Sequence, residues 1–151
     1  MSQDELISRL SQLTEGVSVS MGPQYVTCQV APTQLHQFCK RLKEEKDLAF
    51  DYLISLTGVD MPEYMTTVYH LESTTHRHMI VVRANTANRT EPILPSVCDI
   101  WITALWHERE AHDLLGLKYE NNPDQRRLFL EDGWGFPLRK DYSDPTRIVE
   151  R

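Results

Sequence analysis

The sequence has no long apolar run. Its purest stretch is MIVV at 79–82, far short of the about 18–20 apolar residues needed to cross a bilayer, so a membrane is expected to be reached only through partners. The opening MSQDELISRL is polar and acidic, without the basic and then apolar segments of a secretory signal, and a cytoplasmic protein is expected. Cysteine is scarce and unpatterned. Cys28, Cys39 and Cys98 are odd in number and form no CxxC, which points to free thiols and falls short of the ligand set of an iron–sulfur cluster. Positive charge is also short. A formal net charge of −6 argues against nucleic acid, whose phosphates reward clustered Lys and Arg. No GxSxG, P-loop or GxGxxG is present.

What is there is the material of one domain: 151 residues, 40% hydrophobic and 25% charged, enough for a real core. Charge is uneven along it. Residues 1–117 carry 9 basic and 15 acidic side chains, whereas residues 118–151 carry 7 of each. The C-terminal part holds the pairs Arg126-Arg127 and Arg139-Lys140, so acidic body and Arg-bearing tail are suited to pair with each other or with a partner.

Ser2 with Glu5 forms a capping box for a helix with Leu6, Leu10 and Leu13 on its apolar face. Residues 17–30 read as two short strands turning at Gly22-Pro23. Thr33 is positioned to cap a helix over 34–46, with Leu35, Phe38, Cys39 and Leu42 on one face. The segments 49–60, 66–73 and 76–85 complete an antiparallel meander, and 85–95 is loop-like. Ser96, with Asp99 in the first turn, predicts the N-cap of a helix running to Leu115 and stopped by Gly116. Regularity then fails, with Asn-Asn-Pro, Gly133, Gly135, Pro137 and Pro145. The expectation is an α+β fold: a mostly antiparallel sheet with helices on one side over 1–117, and an irregular extension over 118–151.

The stretch WHEREAHDLLG at 106–116 raises the question of a catalytic centre. HExxH requires histidines four apart on one helical face. His107 and His112 are five apart, roughly 140° around a helix, and Ala111 stands where the second ligand belongs. A metal-dependent hydrolase would rest on Glu108, His112 and an unnamed third ligand. The structural reading is simpler. Trp101, Ala104, Leu105, Glu108, Ala111, His112 and Leu115 follow one helical face. Arg109 precedes Asp113 by one turn and predicts an intrahelical ion pair, while Glu110 lies elsewhere. A carboxylate on a core-facing stripe needs a partner, and arginine is the best one. Glu108 or Glu110 is therefore expected to meet Arg126, Arg127 or Arg139, clamping the tail to the helix. A stand-alone module whose arginines capture an anionic ligand is a further possibility.

The tail reads NPDQRRLFLEDGWGFPLRKDY over 122–142. Together with Glu108-Arg109-Glu110, Asp113 and Gly116 it resembles the C-type subunit of NADH:quinone oxidoreductase, the family of the 30-kDa subunit of respiratory complex I. The family pattern is ERExxDxxG, an aromatic, HPxxRR, and an aromatic-Gly segment closing in PLRKD-aromatic. Tyr119, Pro123, Arg126, Arg127, Trp134, Gly135, Pro137, Leu138, Arg139, Lys140, Asp141 and Tyr142 fall on it. Asn122 replaces the family's usual His, and the segment from Arg127 to Pro137 is slightly shorter than in most members. The resemblance spans about residues 48–145 and is most specific over the last forty or so.

The resemblance implies a non-catalytic subunit of the hydrophilic arm, packed against the quinone-site large (49-kDa-type) subunit and neighbouring iron–sulfur subunits. NAD, FMN, iron–sulfur clusters and quinone would belong to those partners, with no cofactor or metal on this chain, and the membrane contact would be peripheral, on the cytoplasmic face. The corresponding subunit of a ferredoxin-linked or membrane-bound hydrogenase complex is the alternative. Glu108, Arg109, Glu110 and Asp113 would organise the last helix. Arg126, Arg127 and the segment Trp134, Phe136, Pro137, Leu138, Arg139, Lys140, Asp141 and Tyr142 would present the docking surface, a mix of aromatics and cations typical of interface hot spots. The competing reading folds those aromatics back on the chain's own core.

Overall fold

Ser2 opens helix α1 (Gln3–Leu13) as read: its hydroxyl accepts from the Glu5 N–H and its own N–H reaches the Glu5 carboxylate. Leu6, Leu10 and Leu13 are buried. The computed structural model describes residues 1–144 and 146; Pro145 and the last five positions of the expected extension lie outside them. Strands β1 (Ser18–Met21) and β2 (Val26–Val30) turn across Gly22-Pro23. Helix α2 (Pro32–Glu44) begins earlier than expected, with Ala31 at the N-cap and no side-chain cap bond. Thr33 is not its cap. Pro32 sets the first turn instead, because its fixed φ suits a helix start and its missing N–H costs nothing there.

The meander forms as read, through β3 (Tyr52–Asp60), β4 (Met65–Ser73) and β5 (His78–Asn85). The five strands lie in the order β1-β2-β5-β4-β3, antiparallel except for the parallel pair β2–β5. Alternation places Val26, Cys28 and Val30, Ile80, Val82 and Ala84, and Met65, Tyr69 and Leu71 on one face. There they join Phe38, Leu42, Phe50 and Trp101 in one core, under the helices. The fold class is α+β as expected, with a mixed, mostly antiparallel sheet.

Two departures occur beyond the meander. The segment expected as loop contains β6 (Ile93–Pro95), which pairs in parallel with β7 (Lys118–Glu120). The last helix, α3 (Ala104–Leu115), starts eight residues after Ser96, with Thr103 at its N-cap and no side-chain cap bond. Ser96 caps only a local turn, accepting from the Cys98 N–H at 3.2 Å while its hydroxyl donates to Glu108, because the helix itself does not start there; Asp99 pairs with His36 of α2. Turns anchored on the Val97 carbonyl carry the chain to α3, and Trp101 Nε1 donates to the Phe50 carbonyl. Gly116 ends α3 at φ 79°, the left-handed C-cap expected of it.

Candidate interface of the last helix and the extension

Helix α3 buries three charged side chains: Glu108, Arg109 and Asp113 are 1%, 8% and 0% exposed. Each needs partners, since a buried charge left unmatched is costly. The sequence predicts that arginines of the extension meet Glu108 or Glu110, and that Arg109 pairs with Asp113. The structure assigns the partners differently.

Among the described residues Glu108 meets no arginine. Its carboxylate accepts from Ser96 Oγ at 2.6 Å, the Val97 N–H at 2.9 Å and Asn122 Nδ2 at 2.8 Å. Burial pushes its pKa above the ordinary 4.5, and the three donors offset only part of that push. Asn122, where the resembling family usually has His, is itself 6% exposed and also accepts from the Asp124 N–H. Glu108 thus ties α3 to the strand pair β6–β7 on both sides. Glu110 is partly buried and forms no ion pair among the described residues.

The clamp to the extension is carried by the next two charges. Arg109 donates to the carbonyls of Arg126 (3.0 Å) and Arg127 (2.9 Å), and lies 3.4 Å from Asp124. Its guanidinium sits 5.1 Å from the Trp106 ring centroid. Those contacts outweigh a one-turn pair with Asp113, worth a few tenths of a kcal/mol. Asp113 pairs instead with Arg127 and with two backbone N–H groups beyond it.

The remainder of the extension folds onto the C-terminal end of α3. Arg127 donates to the carbonyls of Trp134 and Gly135 and stacks on Phe136, 5.3 Å from its centroid. Arg139 covers Phe136 at 4.8 Å and donates to the Leu115 carbonyl at 2.7 Å. The Leu138 N–H donates to the Leu114 carbonyl. The last carbonyls of α3 are therefore satisfied by a distant segment. A Cβ at Gly116 would meet Arg139 and Phe136 at 2.6–2.7 Å, so the helix stop is also the seat of the extension.

Two anchoring residues escaped the sequence reading. Asp60, at the end of β3 with a side chain 4% exposed, takes a fork from Arg89 at 2.6 and 2.8 Å and the Lys140 N–H at 2.8 Å. Arg89 also grips Asp141 at 2.7 Å. The only signal for them was an Asp closing a strand and an Arg in a loop.

Both residues of the supposed metal pair are engaged by the fold. His112 Nδ1 faces the Leu117 carbonyl at 3.0 Å, and burial holds its pKa below the ordinary 6.5. Glu108 is occupied by its three donors. Neither residue of the supposed metal pair is turned to a common ligand, and no metal-holding group of His, Cys, Asp or Glu occurs among the described residues. Burial pushes the Cys28 thiol up to about 12 and Cys39 further still, far from a reactive thiolate.

Several large apolar side chains face outward. Ile102 and Trp106 of the α3 region and Phe129 and Leu138 of the extension are 73%, 55%, 67% and 52% exposed. Lys140 and Asp141 are exposed, and Arg126, paired with Asp124, is 79% exposed. Trp134, Pro137 and Tyr142 are partly buried. The aromatic-cationic segment is thus divided: Phe136 and Arg139 pack on this chain, while Leu138 and Lys140 hold it through their N–H groups and expose their side chains. Ile102, Trp106 and Phe129 were not singled out from sequence, because a helical wheel cannot say which apolar residues stay uncovered.

The model of the family described as respiratory-chain NADH dehydrogenase, 30 Kd subunit, matches residues 28–147. The C/D-type subunit of the NADH-quinone oxidoreductase of Phocaeicola vulgatus is 47% identical over 126 residues, covering 80% of this chain and 24% of that protein. The C-type subunit of Chloroherpeton thalassium is 43% identical over 104 residues, covering 67% and 43%. That of Burkholderia mallei is 33% identical over 156 aligned residues, covering 91% and 78%. The chain therefore spans less than half the length of the first two. Among solved structures, a chain of the membrane-bound sulfane sulfur reductase, an archaeal respiratory membrane complex, shares the fold with a TM-score of 0.81 at 21% identity, covering 95% of this chain and 86% of that one.

Proposed function

The chain belongs to the family of the 30-kDa subunit of respiratory-chain NADH dehydrogenase, and from that membership we propose that it is a non-catalytic structural subunit of a complex-I-like NADH:quinone oxidoreductase. It docks on the quinone-site large subunit through the outer side of α3 and the extension. The observation that carries this is the match to a protein named for both the C-type and the D-type subunits, of which the aligned part is only 24%. A chain that joins the two names favours their association as neighbours in other organisms too.

The geometry supports the reading in two ways. Buried charges of α3 are engaged in holding the extension, which leaves no activated nucleophile or acid–base pair among the residues singled out. The extension in turn exposes Phe129, Leu138 and Lys140, as α3 exposes Trp106, residue types common at interface centres. Residues 1–117 act as the body and residues 118–151 as the docking arm. NAD, FMN, iron–sulfur clusters and quinone are assigned to partner subunits, and electron transfer to quinone is supported by holding those subunits in place. No helix among the described residues is long and apolar enough to cross a membrane, and attachment to the cytoplasmic face runs through the complex.

The test is affinity isolation of the tagged chain from its native membranes, with mass spectrometry of what accompanies it. A D-type large subunit and iron–sulfur subunits in stoichiometric amount bear the proposal out. A partnerless monomer rejects it, and a hydrogenase-type large subunit moves the chain to that class of complex.

A further inference from the structure

The helices cover one face of the five-stranded sheet, and the opposite face carries an arginine whose buried Nε has no acceptor among the described residues. In register, Ser18, Gln29, Arg83, Val68 and Thr57 form one row across all five strands. The next row runs through Thr27, Val81 and His70. Arg83 is the only formal charge in these rows, although a quarter of the chain is charged. Glu72, further along the same face, lies opposite Met79 and forms no ion pair with Arg83.

Arg83 is partly buried in a shallow depression with Tyr25, Thr27, Val68, His70 and Val81. Its Nε is shut off from solvent and has no hydrogen-bond acceptor among the described residues. His70 offers its Nδ1 to Ser55 Oγ and stands edge-on to Tyr25. A guanidinium with a buried, unmatched N–H is costly to the free chain, and its fixed fork is matched best by a carboxylate. The surroundings are β-branched and small polar side chains on a flat surface, depleted in charge as the centre of an interface is. Asp60, Asp113 and Asp124 are each already paired with another arginine.

We propose that the open face of the sheet is a second docking surface, on which a neighbouring subunit of the assembly seats an Asp or Glu against Arg83. This rests on the subunit reading above but uses a different face from α3 and the extension. The chain is then held between two neighbours, or by two parts of one, with the carboxylate fixing the register of an otherwise slippery flat contact.

The experiment uses the tagged full chain expressed in its native cells, as wild type and as Arg83→Met and Arg83→Glu, each also carrying Gln29→Cys. Gln29 is exposed and adjoins Arg83 in the row. Labelling of position 29 by N-ethylmaleimide is compared between the free chain and the isolated assembly. The proposal expects position 29 to label freely in the free chain and at least about tenfold more slowly in the assembly, as a contact that excludes water requires. It also expects Arg83→Glu to lose at least one neighbouring subunit, while Arg83→Met leaves the melting temperature of the free chain unchanged or raised. Equal labelling in both states, or full recovery of all subunits with Arg83→Glu, overturns it. Failure of the wild type to bring down any assembly rejects instead the subunit reading on which it rests.

Discussion

Asp113 and Arg127 face each other at 3.3 Å across the junction of α3 and the extension, and the same carboxylate accepts the N–H groups of Phe129 at 2.7 Å and Leu130 at 3.1 Å. One fully buried side chain thus fixes a salt bridge and two successive amides of irregular backbone. Asp113→Ala strands Arg127 and both N–H groups. It is expected to cost about 3 kcal/mol, the usual size for breaking a buried pair. Urea denaturation measures that loss, and limited trypsinolysis should cut first at Arg126-Arg127. Unchanged stability and protection would show that the extension is held elsewhere.

Asp60 makes the second anchor acid-sensitive. Arg89 beside it, with the Lys140 N–H, holds its pKa down at about 2 from an ordinary 3.8. A carboxylate whose folded pKa is depressed contributes stability above its unfolded value and loses it as pH falls through the folded one. Stability from this site should therefore be full above about pH 4 and drain away towards pH 2. Arg89→Met leaves the buried carboxylate unpaired. It should cost about 3 kcal/mol at neutral pH and shrink the acid-side slope, as read by urea midpoints across that range.

Glu108 carries the opposite sign. Burial raises its pKa above 4.5, so the folded state holds the proton more tightly than the unfolded one. Its contribution is present below 4.5 and is lost as pH rises through the folded value. His112, with a lowered pKa, supplies a contrary slope below 6.5, where falling pH removes stability. The informative quantity is therefore the difference between wild type and Glu108→Gln. That difference should move in the variant's favour as pH climbs from about 4.5 towards neutrality. A constant offset at every pH would mean that folding leaves the pKa of Glu108 where it is in the unfolded chain.

Trp106 separates assembly from folding. It is 55% exposed and touches Arg109 through its ring face, a contact worth about 0.5–1 kcal/mol at an exposed site. Trp106→Ala should leave the free chain stable to within about 1 kcal/mol, yet weaken recovery of the large subunit by about 2 kcal/mol. Arg139→Ala is the less clean probe. It removes the bond to the Leu115 carbonyl and the cover over Phe136, so the free chain's melting curve should fall along with assembly. Normal complex yield from both variants would rule out this surface as the docking site.

Local rules carried the sequence reading as far as they reached. The capping box at Ser2, the alternation of β3 to β5 and the stop at Gly116 depend on residues close in the chain, and they appear where read. Ser96 illustrates the limit. As Ser before a helical pattern it fits an N-cap, but it caps only the turn at Cys98 and donates to Glu108, a partner that only the fold brings near. The clamp between helix and tail was legible as a need, since α3 carries charges on its inner face. Its wiring was not, because Arg109 prefers backbone carbonyls that have no sequence signature. Asp60 with Arg89 was missed because only the fold brings those two side chains together, and the short strand β6 because its pairing partner follows α3.

The parallel pairing of β2 with β5 has a meaning in time. Val26 is registered with Ile80, so β2 leaves the ribosome long before its inner neighbour exists. The hairpins of β3, β4 and β5 close locally, whereas β2 must wait for a non-local partner, the slow kind of contact in folding. The meander is then the natural nucleus, with β1, β2 and α1 settling against it afterwards. During that wait the chain exposes an unpaired strand edge bearing Val26, Cys28 and Val30, which makes the N-terminal third the segment most exposed to mispairing while the protein is being made.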